Sequence, residues 1–138
     1  MALKVQDRIE RRLVVEVYIY NVIKYLSERF SISEKEISIV HEPIIGGIVP
    51  DLVLIHNNTW FIVEFKTHPQ PSKDIVTIMK YKRIIDERIK PKMTIPILAY
   101  VYKRPTINAA VTGKVKPLVI LHLAGRKYEV LYENVKSG

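Results

Sequence analysis

Between residues 9 and 30, apolar side chains recur at steps of three and four. Ile9, Leu13, Tyr20, Ile23 and Phe30 fall on one side of a helical wheel with Glu16 among them, while Arg8, Arg11, Arg12, Lys24 and Arg29 fall mostly elsewhere. That spacing predicts one long helix over 6–30 with this stripe turned to a core. The period then changes. Ile37-Ser38-Ile39-Val40 reads as a first strand, and His41–Gly47 as a loop whose paired glycines permit a tight reversal. Asp51–Ile55 and Thr59–Lys66 are apolar, β-branched runs separated by His56-Asn57-Asn58. Asparagine tolerates positive φ, so the two runs are expected to form a hairpin.

Pro69 and Pro71 interrupt the chain, and Ser72 or Asp74 is in place to cap a second helix running to about Lys90. Its apolar side is Ile75, Ile78, Ile85 and Ile89, and Pro91 ends it. Ile95–Tyr102 reads as a strand buried on both faces, and Thr106–Thr112 as one or two helical turns. Leu118–Leu123 and Lys127–Tyr132 flank Ala124-Gly125-Arg126 as a closing hairpin. The order is α-β-β-β-α-β-(α)-β-β with no internal repeat, which predicts an α/β fold: a mixed sheet flanked by helices.

The chain of 138 residues is expected to form one domain (1–138), and 48% apolar content is enough for a core. No uncharged apolar run approaches the ~20 residues that span a bilayer, and charge falls early, at Lys4 and Asp7. The expectation is a soluble, cytoplasmic protein that does not associate with membranes. Cysteine is absent, which excludes disulfides, thiolate metal sites and a cysteine nucleophile. Any metal must be held by oxygen or imidazole. A net charge of +8 points to a polyanionic partner, most commonly nucleic acid, although a basic surface also serves solubility alone. Richness in Ile, Lys, Arg and Tyr, with glutamine only at Gln6 and Gln70, is the bias of proteins from hot environments.

On the hairpin reading, Asp51 opens one strand and Glu64 lies near the end of its antiparallel neighbour, so the two carboxylates meet at the same end of the sheet. Glu64 and Lys66 are two positions apart and project from one face. Two carboxylates held together repel each other, and a divalent cation resolves that conflict. Mg²⁺ or Mn²⁺ suits a few carboxylate oxygens completed by waters and phosphate oxygens. Such a cation acidifies water and offsets charge on a phosphate, and Lys66 is placed to orient or deprotonate that water or to steady developing negative charge.

Pro50-Asp51 followed by Glu64-Phe65-Lys66 resembles the PD-(D/E)xK nuclease superfamily, whose restriction-endonuclease-like core runs α-β-β-β-α-β. The resemblance covers about residues 6–103 and leaves 104–138, with its hairpin, as an extension. It implies a DNA-hydrolysing enzyme in which Asp51 and Glu64 bind metal, the backbone carbonyl of Phe65 adds a ligand, and Lys66 is catalytic. Many members add an acid from the first helix, here Glu16 or its competitor Glu10; the other reading of Glu16 is a helix-edge carboxylate paired with Arg12 or reaching solvent. Thr67 after the lysine is similar to RecB-like members, which carry a Gln-x-x-x-Tyr motif on the next helix. Tyr81 fits the tyrosine, as a catalytic accessory or a packed aromatic, but Thr77 stands where the glutamine belongs. The resemblance to small archaeal Holliday-junction resolvases implies a homodimer.

Lys73, Lys80, Lys82, Arg83, Arg88, Lys90 and Lys92 form a basic succession along helix two, as phosphate contacts or as a solvated face. His41 and His68 fall in loops flanking the expected site, whereas His56 and His122 receive no role. No Walker-type loop, HExxH helix or GxSxG elbow is present. Little chain remains for a sequence-reading domain, so structure-selective endonucleolytic cleavage is expected. An exonuclease, or a DNA-binding protein without turnover on the same fold, are the alternatives.

Overall fold

The computed structural model describes residues 2–135, with side chains described from residue 9 onward. Helix α1 spans Ala2–Phe30, and a 3-10 turn at Glu34–Glu36, which the pattern did not predict, leads into strand β1 (Ser38–His41). Strands β2 (Leu52–His56) and β3 (Thr59–Lys66) follow, then helix α2 (Pro71–Arg88) and strand β4 (Met93–Val101). A short helix α3 (Ala109–Thr112) precedes the hairpin of β5 (Leu118–Ala124) and β6 (Lys127–Asn134). The result is a six-stranded mixed sheet in the order β1-β2-β3-β4-β5-β6. β1, β2 and β3 run antiparallel in succession, β3, β4 and β5 are parallel, and β6 returns antiparallel.

The β2–β3 turn forms as its residues dictate. Asn57 and Asn58 take φ of 47° and 63°, the paired left-handed conformation of a two-residue hairpin turn. Side chains then alternate between two cores. Leu52, Leu54, Phe61, Val63 and Phe65 pack with α1, whereas Ile62 and Leu98 pack in the clusters that contain Ile75, Ile78 and Ile85 of α2. β4 is buried on both faces as expected, but it ends at Val101, and Tyr102 is exposed.

Helix α1 turns to the sheet a side that only partly matches the expected stripe, of which Ile23 and Phe30 join the core. Val15, Ile19, Val22, Ile23 and Leu26 are buried, while Ile9, Leu13 and Tyr20 are exposed by 56%, 55% and 63%. The helix carries two overlapping apolar stripes, and helical spacing by itself does not say which one the sheet covers. Ile89, expected on the apolar side of α2, is likewise exposed, because it follows the last turn. Neither Ser72 nor Asp74 is the N-cap of α2. Gln70 holds that position without a side-chain bond, and Asp74 reaches back to accept from the Gln70 N–H at 3.0 Å.

Candidate active site

β3 outlasts β2. Their ladder ends at Leu52 opposite Val63, just after Pro50 and Asp51, so Glu64, Phe65 and Lys66 overhang with no β2 backbone beside them. The Asp51 side chain takes up the edge that this leaves: its Oδ2 accepts from the Phe65 N–H at 3.0 Å. In return the Asp51 N–H donates to Glu64 Oε1 at 2.7 Å. This reciprocal pair locks both carboxylates at one end of the sheet, with Asp51 6% and Glu64 3% exposed. Each has one oxygen fixed by a backbone donor, and the second oxygen of each accepts no hydrogen bond among the described residues.

Electrostatically the pair is poised against carrying two negative charges. Burial pushes the Glu64 carboxyl up to about 8, and the neighbouring Asp51 charge adds to this. Its bond from the Asp51 N–H and the cations Lys66 and Arg11 pull the other way without reversing the shift. Burial also raises Asp51, against the Phe65 N–H, Arg11 and Lys66. Near neutral pH the pair therefore holds a proton unless another positive charge replaces it.

The donor set fits a hard divalent cation. It is all oxygen and anionic, and each carboxylate keeps one oxygen outside the reciprocal backbone bonds. No cluster of three or more His, Asp or Glu side chains assembles among the described residues, so the ligands beyond Asp51 and Glu64 would be carbonyls and waters. That composition suits Mg²⁺ or Mn²⁺ and not a site demanding imidazole.

Beside the pair lies a cleft of about 520 Å³, lined by Arg11, Lys66, His68, Lys73, Asp74 and Thr77 among others. Lys66 projects on the same face as Glu64, 3.8 Å from Asp74 Oδ1. Lys73 lines this cleft, and Thr77, on the helix turn below Tyr81, lines it too. The Tyr81 phenol is raised by burial and then by the charges of Glu64 and Asp51, and its ring packs on the cluster of Ile45, Ile48, Ile62 and Ile85. Lys80 and Arg83 are exposed on α2. Lys82 is paired with Asp86 and belongs to a different cavity, with Lys90, Lys92 and Lys116 near the other end of α2.

Glu16 follows the second of its two expected readings, the helix-edge carboxylate paired with Arg12. It is exposed at the edge of the buried face of α1 and pairs with Arg12 at 3.5 Å. Glu10 is exposed as well, in a neighbouring groove. The α1 side chain whose charge acts on the carboxylates is Arg11. His41 is half-buried near Arg12 and Glu16 and lowered mainly by burial, and its Nδ1 is without a partner among the described residues. His68 borders the cleft.

Three residues of the site escaped the sequence reading. Asp74 is buried behind Lys66, Tyr100 donates to Asp74 Oδ2 at 2.8 Å, and Arg11 lines the cleft beside the carboxylates. Tyr100 carried one signal, a polar tip inside the apolar run of β4, but its meaning depends on the β3–β4 register, which places it beside Lys66.

No protein-family model matches the chain, and no curated protein does. Among solved structures, a protein of unknown function from Silicibacter pomeroyi matches 86% of this chain and 69% of its own, with a TM-score of 0.50 at 12% identity. SfsA of Pyrococcus furiosus, solved in complex with Ca²⁺, matches 80% of this chain with a TM-score of 0.34 at 14% identity, and the chain spans 61% of its length. The first likeness is one of fold, the mixed α/β architecture described above.

Proposed function

We propose that this chain is a divalent-metal-dependent nuclease that hydrolyses DNA phosphodiester bonds at Asp51, Glu64 and Lys66. The observation that carries this reading is the interlocked buried carboxylate pair, each member keeping one oxygen free, with an ammonium two residues along the same strand face. The succession α1-β1-β2-β3-α2-β4, with two antiparallel pairings and then a parallel one, supports a restriction-endonuclease-like core and membership of the PD-(D/E)xK superfamily.

Asp51 and Glu64 would hold Mg²⁺ or Mn²⁺, with the Phe65 carbonyl as a further ligand. When bound, the cation supplies positive charge against the scissile phosphate and acidifies water. Lys66 orients the attacking water or steadies charge developing on the phosphate. Arg11 and Lys73 hold phosphate oxygens in the cleft and carry no base specificity. The net charge of +8 supports DNA as the partner, and the absence of any described helix long and apolar enough to cross a membrane agrees with one outside the bilayer. The exposed stripe Ile9, Leu13, Val17 and Tyr20 on α1 favours a homodimer.

The test is cleavage of labelled duplex, single strand, flap and four-way junction in Mg²⁺, Mn²⁺ and EDTA. Metal-dependent cutting with a preference for the junction is expected. Cutting of linear but not circular DNA would make the enzyme an exonuclease. Metal-independent binding with no cutting of any substrate would leave a DNA-binding protein on this fold.

A further inference from the structure

Lysine has a long flexible stem, and one that leaves the end of a strand half-buried samples many rotamers unless something holds its head. At Lys66 that something is Asp74, whose Oδ1 lies 3.8 Å from Nζ. Asp74 is itself tethered: it is 5% exposed in the first turn of α2, and its Oδ2 accepts from the Gln70 N–H at 3.0 Å and from the Tyr100 hydroxyl at 2.8 Å. Tyr100 is fully buried on β4 and stands directly opposite Lys66 in the parallel register. Burial and the bond to Asp74 raise the Tyr100 phenol, so it remains a donor.

Helix capping explains one of these contacts and not the others. The Gln70 N–H satisfies the cap with Oδ2 alone, and an exposed aspartate would serve as well. A buried carboxylate is costly unless it is partnered, and this one is partnered from two elements, with its remaining oxygen turned to Lys66. The arrangement links the two parallel strands through α2 at the point where the ammonium needs a fixed direction.

We infer that Asp74 is the positioning residue of Lys66, and that Tyr100 fixes Asp74 in turn, so that the ammonium is held beside the Asp51–Glu64 pair. The catalytic consequence rests on the nuclease reading; the placement of the ammonium does not.

Two readouts separate these. The first is NMR of the Lys66 ε-methylene in ¹³C-lysine-labelled protein, assigned with Lys66→Arg. Wild type is expected to show two inequivalent ε protons, Asp74→Asn a single averaged signal, Asp74→Glu the wild-type pattern, and Tyr100→Phe a narrowed separation. Tyr100→Phe keeps the ring and removes only the hydroxyl, so it carries the test even if Asp74→Asn folds poorly. The second is steady-state cleavage: Asp74→Asn is expected to lower kcat about 10- to 100-fold, the scale of a small misplacement of a reacting group, with KM unchanged and with recovery in Asp74→Glu. Unchanged Lys66 ε signals in both Asp74→Asn and Tyr100→Phe would overturn the inference, as would a loss confined to KM. If wild type cuts no DNA while Asp74→Asn still collapses the ε signals, positioning stands and the nuclease reading falls.

Discussion

Glu64 and Asp51 carry the site, and their protonation links it to stability. Folded Glu64 is raised from 4.5 to about 8, so between those values the folded chain binds a proton that the unfolded chain releases. Stability from this group is therefore present at low pH and lost as pH climbs toward 8. Thermal melts of metal-free protein at pH 5 and pH 8.5 should show the midpoint falling with pH, a fall that Glu64→Gln largely removes. Saturating Mg²⁺ at the higher pH should raise the wild-type midpoint again and leave Glu64→Gln nearly unmoved. A wild-type midpoint that does not fall with pH would contradict the burial of a charged pair. Asp51, Glu64 and Lys66 were legible because one local hairpin turn brings them together. Asp74, Tyr100 and Arg11 were not, because their meeting depends on a parallel register across α2 and on the rotation of α1, neither of which is written in local spacing.

At the scale of elements, every strand and helix expected from periodicity is present, with ends shifted by a few residues, because apolar alternation and turn residues act locally. The face of α1 is the exception. With two apolar stripes on one helix, the choice was made by the sheet through Val15, Ile19, Val22, Ile23 and Leu26. This predicts an asymmetry between Leu13, which the expected stripe included, and Leu26, which it left out. Leu26→Ala, at a fully buried position, should cost about 2–5 kcal/mol in denaturant unfolding. Leu13→Ala, at an exposed one, should cost under about 0.5 kcal/mol in the monomer. Equal costs would mean that α1 is rotated from the orientation described. The same rotation is what presents Arg11, and not Glu16, to the carboxylates.

For the whole molecule, the mixed sheet gathers cations around one end: Arg11, Lys66 and Lys73 share the cleft beside the two buried carboxylates. The overall charge already suggested a polyanion, but only the assembled fold shows which basic residues converge, since Lys82 and Lys90 line a cavity elsewhere. The exposed apolar stripe of α1 predicts self-association through that helix. Light scattering should give twice the chain mass for wild type and a monomer for Leu13→Asp with Val17→Asp, and a wild-type monomer at working concentration would remove the dimer. The most direct measurement is the rate of DNA cleavage in Mg²⁺ by wild type beside Glu64→Ala and Lys66→Ala. The proposed site predicts cutting by wild type that EDTA abolishes, a loss of about 10³-fold or more in each variant, and retained DNA binding. Cutting that survives both substitutions, or no cutting by any of the three proteins, would contradict it.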